Sequence, residues 1–278
     1  MKNGTRTAVI ILLLFLMAVS LLAFSVRPVY LLASLEVDKL RTEIRDQKRI
    51  IHAGGALKTE AGEEVVYTNS FEALLNMYNE GYRFCEIDIR ETADGFLICA
   101  HGDEDYLTNG SDLPIDASLR EFEQERLFGE YTPMAVDKLT AFMREHPDLF
   151  IITDAQGDNL EICRKLAGLY PDLRERFIIQ IYHEQEYDPI RKMGFRNLIY
   201  TLYRAEDQER NFWRIAHFAE AHELLGVTAQ KEMFYSLKNR IAMAHCGVPF
   251  MFHTVDEEEE IESMLRKPYV MGVYTDLT

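Results

Sequence analysis

Glu86, Asp88 and Arg90 fall at every second position of the run Cys85-Glu86-Ile87-Asp88-Ile89-Arg90. In an extended strand that spacing sends all three side chains to one face. The intervening residues are apolar, so the strand reads as buried, and an unpaired carboxylate there is costly. A hard divalent cation with oxygen ligands would offset the cost. Asp154, near the end of the run Phe150–Ala155, offers a third carboxylate. The plainer reading is an internal ion pair with Arg90; the two acids together favour the cation.

His52 and His101 close two further runs, Ile50–Ala53 and Phe96–His101. Either imidazole alone says little, and His183, His217, His222 and His245 read as structural. Two imidazoles facing one carboxylate cluster are different. One can take a proton from a nucleophile while the other gives one to a leaving oxygen, and a pKa near ~6.5 suits both roles.

For these groups to meet, several strand ends must converge. From Arg49 onward, short β-rich runs alternate with helical stretches. The strand candidates are Ile50–Ala53, Phe84–Ile89, Phe150–Ala155, Phe177–Tyr182, Asn197–Tyr203, Leu224–Ala229, Pro249–Val255 and Gly272–Thr275. Helical spacing marks Phe71–Tyr78, Ala135–Glu145, Leu160–Leu169, Asn211–His222 and Glu257–Leu265. Eight strands, intervening helices and no internal repeat predict an α/β fold of the TIM (β/α)8 type, with a doubly wound sheet as the alternative. A barrel carries its site at the C-terminal strand ends, where His52, Glu86, Asp88, His101 and Asp154 all fall. Asp94-Gly95 reads as a hairpin turn folding Phe96–His101 back beside Phe84–Ile89. Asn69 and Glu72 read as a capping box that opens the first barrel helix, and Gly81 ends it. The acids from Asp256 to Glu260 read as a helix N-terminus.

The chain of 278 residues carries 46 acids against 30 bases, a net charge of −16. That argues against nucleic acid as a partner, because phosphate backbones need clustered Lys and Arg. It also opposes tight docking on anionic lipid. The four cysteines show no C-x-x-C spacing, so no zinc site is expected. They read as buried free thiols, with a Cys85–Cys99 disulfide as the alternative outside the cytoplasm. Residues Ala8 to Phe24 form an apolar run broken only by Ser20 and preceded by Lys2 and Arg6. Its length lies between a secretory signal and a spanning helix. The reading adopted is a transmembrane anchor over residues 8–26, with a signal peptide as the alternative. Residues 1–7 are then a cytoplasmic tail, 27–48 a juxtamembrane helix, amphipathic from Leu32 to Lys48, and 49–278 the barrel. The basic residues ahead of the run put the barrel outside the cytoplasm, on a single-pass protein of the cell membrane.

Taken in order, these motifs resemble the glycerophosphodiester phosphodiesterase family, of which the chain looks like a divergent member. That family opens on a strand ending in His-Arg-Gly, here Ile51-His52-Ala53-Gly54-Gly55. Its Pro-Glu-Asn-Thr segment resembles Tyr67-Thr68-Asn69-Ser70. Its Glu-x-Asp strand, Thr-x-Asp-Gly turn and His-Asp resemble Cys85–Ile89, Thr92–Gly95 and Ala100-His101-Gly102. Asp154-Ala155-Gln156 stands where the family has Glu-x-Lys. Phe252–Asp256 is similar to its Trp-Thr-Val-Asn, and Val273–Asp276 to its closing Ile-Thr-Asp. The resemblance implies that His52 and His101 form an acid–base pair and that Glu86, Asp88 and Asp154 hold Ca2+ or Mg2+. It also implies attack by a substrate hydroxyl on phosphorus, giving a cyclic phosphate that water opens. Two cations that would face phosphate are missing, since Ala53 and Gln156 replace an Arg and a Lys. Arg90 and Lys231 are the expected substitutes, with Asn69 as a further substrate contact. Gly102 replaces an Asp, so His101 is expected to lose its orienting partner.

The expected function is metal-dependent hydrolysis of a glycerophosphodiester, a lipid head group or a glycerol-phosphate polymer. The alternative is a catalytically degenerate barrel acting as a membrane-anchored binding module.

Overall fold

The computed structural model describes residues 27–205 and 210–277. The expected tail, residues 1–7, and the anchor or signal, residues 8–26, lie outside the described residues. Among those described, no helix is long and apolar enough to cross a membrane. Residues expected to form an amphipathic helix make helix α1 (Arg27–Gln47). Near its end Ile44 is fully buried, and Arg41 donates to the carbonyls of Leu224 and Leu225 at 2.7 and 2.9 Å.

Eight parallel strands follow: β1 (Arg49–Ile51), β2 (Phe84–Glu91), β3 (Phe150–Ala155), β4 (Phe177–Ile181), β5 (Asn197–Thr201), β6 (Gly226–Gln230), β7 (Phe250–His253) and β8 (Val270–Thr275). Each pairs with the next, and β1 pairs with both β8 and β2, the latter through Ile51 opposite Cys85. A doubly wound sheet would leave two edges; here the ring closes, as the (β/α)8 reading expects. The strands are runs such as Phe177-Ile178-Ile179-Gln180-Ile181, apolar and β-branched, and they are buried on both faces.

The helices that return the chain are α2 (Phe71–Asn79), α3 (Leu119–Gln124), α4 (Val136–Glu145), α5 (Asn159–Leu169), α6 (Tyr187–Lys192), α7 (Phe212–Ala221), α8 (Glu232–Tyr235), α9 (Leu237–His245) and α10 (Glu258–Leu265). The start of α2 differs from the expected capping box. Ser70 is the cap, accepting from the Ala73 N–H at 3.2 Å, while Glu72 instead receives the Thr132 N–H and hydroxyl. Gly81 follows the helix end with a left-handed backbone, as expected.

The Asp94-Gly95 turn forms, and Leu97–Cys99 lies antiparallel on β2. Its register sets Cys99 opposite Ile89 and not opposite Cys85. All four cysteines are free and buried, so the disulfide alternative does not form.

Candidate active site

β1 delivers His52 to the barrel mouth, and the chain then turns sharply through Ala53 (φ 48°) and Gly54 (φ 86°). A Cβ on Gly54 would stand 2.8 Å from the Ala73 Cβ of α2, so only glycine lets the turn and the helix approach this closely. The turn aims the Ala53 N–H at Glu86 Oε2, 3.1 Å away. His52 Nδ1 meets Asp276 Oδ1 at 2.9 Å, and its Nε2 lies 3.7 Å from Glu86 Oε2. Asp276 is itself held in place, since its N–H and the Thr275 hydroxyl both donate to Asp256 Oδ1. Burial opposes a charge on His52. The Asp276 hydrogen bond and the charges of Glu86, Asp276 and Asp88 outweigh it and raise the imidazole to about 9.

β2 supplies Glu86 and Asp88, and its register with β3 sets Asp88 beside Asp154. One oxygen from each of the three carboxylates lies within 4.8 Å of the others. Asn69 Nδ2 donates to Asp88 Oδ2 at 2.8 Å and Gln156 Nε2 to Asp88 Oδ1 at 2.6 Å. Asp154 receives the Tyr203 hydroxyl at 2.8 Å, Gln156 Nε2 at 3.1 Å and the Tyr182 hydroxyl, with Arg204 Nη2 at 3.4 Å. Burial first, and then the neighbouring carboxylates, hold Glu86 and Asp88 above the usual carboxylate range. Glu86 Oε1 is buried and has no partner. Three converging oxygen donors, oriented mostly by neutral groups and including one orphaned oxygen, fit a hard cation such as Ca2+ or Mg2+.

His101 follows the appended strand, and its Nδ1 lies 2.9 Å from Thr108 Oγ1. Thr108 therefore supplies the orientation that the glycine at position 102 was expected to remove. Gly102 has a packing reason of its own: a Cβ there would stand 2.1 Å from Arg90 Nη1 and 2.5 Å from Ile115 Cδ1. Arg90 Nη1 is buried with no hydrogen-bond partner. Tyr67 stands between the two histidines, its ring centroid 4.5 Å from that of His52 and 6.0 Å from that of His101.

The sequence-predicted residues thus converge at the mouth, with two exceptions in detail. Asn69 is fully buried and spends both ends of its amide on Asp88, its Oδ1 accepting the Asp88 N–H at 3.0 Å. It positions a carboxylate, where the sequence reading makes it a substrate contact. Lys231 follows β6, and its ammonium lies 3.3 Å from Glu260, away from the cavity lined by His52, Glu86 and Asp154. Sequence reasoning gave no role to Tyr67, Asp276, Tyr182, Tyr203, Arg204 or His253. The signal at hand was the close of two strand motifs, in which Asp276 and His253 both stand.

No protein-family model matches the chain, and no curated protein matches it in sequence. Solved structures do. A Galdieria sulphuraria protein assigned to the glycerophosphodiester phosphodiesterases superposes with a TM-score of 0.65 at 17% identity, over 82% of this chain and 93% of that one. A glycerophosphodiester phosphodiesterase from Thermotoga maritima gives 0.59 at 18% identity, over 82% and 94%. An Oleispira antarctica phosphodiesterase in complex with the product sn-glycerol-3-phosphate gives 0.61 at 15%, over 82% and 92%. The chain shares their fold.

Proposed function

We propose that this chain is a metal-dependent phosphodiesterase. Its substrate would be a glycerophosphodiester or a related diester, such as a lipid head group or a glycerol-phosphate polymer, with His52 and His101 as the acid–base pair. One observation carries the reading. Two imidazoles, each held by a side-chain partner, flank three clustered carboxylates, two of them buried and one of these with an orphaned oxygen. The shared fold supports the substrate class, as does the product held by the Oleispira antarctica protein.

In this reading Glu86, Asp88 and Asp154 would hold Ca2+ or Mg2+, which would supply charge neutralisation for the phosphoryl group. One histidine takes the proton from an attacking hydroxyl and the other gives one to the leaving oxygen. Their roles exchange when water opens the resulting cyclic phosphate. Asp276 and Thr108 fix the two rings for that exchange. The orphaned Arg90 Nη1 suits a phosphate oxygen and covers in part for Ala53 and Gln156. Residues 8–26 remain our proposed anchor, with the barrel outside the cell membrane.

The test is release of glycerol 3-phosphate from glycerophosphodiesters by the purified chain, with Ca2+, Mg2+ or chelator. Divalent-dependent turnover that falls by about 10²–10⁴-fold in both His52→Ala and His101→Ala is expected. Turnover indifferent to either histidine would overturn the acid–base assignment. A second reading, the degenerate binding module, draws on Gln156, whose amide bridges Asp88 and Asp154 where a cation would serve catalysis. Cation binding without turnover on any diester would select it.

A further inference from the structure

At the level where β2 and β3 present Glu86 and Asp154, strands β4 to β8 present Gln180, Thr201, Thr228, His253 and Tyr274. Barrel interiors are ordinarily filled by branched aliphatic side chains. Here the wall facing the carboxylates is made of amide, hydroxyl and imidazole groups. They enclose a cavity of about 50 Å³, roughly the room of three or four water molecules. Two pairs in that wall satisfy each other. The Thr201 hydroxyl donates to Gln180 Oε1, and the hydroxyls of Thr228 and Tyr274 meet at 3.4 Å. His253 is the exception, because its Nε2 is buried without a partner.

The imidazole does not join the three carboxylates in their 4.8 Å cluster. The rings of Tyr203 and Tyr274 stand edge-on to it, with centroids 5.8 and 6.4 Å away. Burial, reinforced by His52, brings its pKa down to about 4, so the ring is neutral at physiological pH. A neutral ring nitrogen donates or accepts one hydrogen bond. A buried polar atom without a partner calls for one, and the polar wall marks a hydroxyl as the group that fits.

We propose that this cavity receives a hydroxyl-bearing arm of the alcohol esterified to the phosphate, and that His253 Nε2 is its hydrogen-bond partner. The inference rests on the phosphodiesterase reading of the same site. His253 then reads the alcohol, while the carboxylate-bound cation and Arg90 serve the phosphate.

The test is calorimetric titration of the full-length chain, in saturating Ca2+ or Mg2+, with sn-glycerol 3-phosphate and with n-propyl phosphate, which lacks the hydroxyls. The wild-type chain should prefer glycerol 3-phosphate by about fivefold or more. His253→Phe should lose the preference with propyl phosphate affinity unchanged, and that affinity doubles as the folding control. His253→Gln, whose amide reaches the place of Nε2, should restore part of it. No preference in the wild type, a preference that survives His253→Phe, or equal weakening of both ligands would each overturn the subsite and leave the hydrolase standing. Failure of the wild type to bind either ester with either cation would overturn both.

Discussion

His52 sits between two acids, Asp276 at Nδ1 and Glu86 at Nε2. A group so placed keeps its proton to higher pH than it does in the unfolded chain. Its pKa rises from 6.5 to about 9, and Glu86 and Asp88 are raised as well. All three bind more protons folded than unfolded, so the sign is common to them. The His52 contribution is fully present below about pH 6.5 and is lost as pH climbs through about 9. It amounts to roughly 3 kcal/mol. In chelator, the Tm should therefore fall between those two pH values. A saturating divalent cation takes over the role of the protons and should flatten the profile, as should Asp276→Asn. A Tm that does not move over that interval in chelator would contradict the assigned environment of His52.

The turn between β1 and α2 shows what the elements contribute. Gly54 lets the turn lie against Ala73, and the same turn points the Ala53 N–H at Glu86. Gly54→Ala combines a left-handed backbone with a close contact and should cost about 2–3 kcal/mol. It should also weaken cation affinity, because the donor to Glu86 moves. Ser118→Ala, which removes the capping box of α3, makes the contrast: about 1 kcal/mol lost and cation binding unchanged. Thermal unfolding with a cation titration of both variants checks the pair. Loss of cation affinity in both would mean that general destabilisation is responsible.

The strands were legible because each is a short apolar run between turn residues, and alternation exposed Glu86 and Asp88. Ends were less so. Leu224 and Leu225 read as strand yet precede β6, where their carbonyls bind Arg41. Helix α6 escaped notice because it is six residues long and contains Pro189. The site's supporting residues were hidden for another reason. Asp276 reaches His52 across 224 positions of sequence, and Tyr182, Tyr203 and His253 look like ordinary strand-end aromatics until the barrel closes. Asn69 reads as a cap, but its left-handed backbone (φ 49°) accompanies an amide turned inward to Asp88.

For the whole molecule, the net charge of −16 and the apolar run from Ala8 to Phe24 point the same way. Membrane association would come from burying that run and not from charge attraction. The full chain should therefore pellet with membranes and stay there through an alkaline carbonate wash at any ionic strength. A chain starting near Leu35 should remain in the supernatant. Release of the full chain by salt alone would contradict a spanning anchor. The four thiols lie on four different elements of the barrel domain: Cys85 in β2, Cys99 in the strand appended to it, Cys163 in α5 and Cys246 after α9. Burial pushes every one of them up, and a buried protonated thiol is a poor nucleophile. The closed barrel is thus silent towards electrophiles and folds without an oxidant. Alkylation of any of the four becomes a clock for the opening of the ring, and a ligand that braces the mouth would slow all four together.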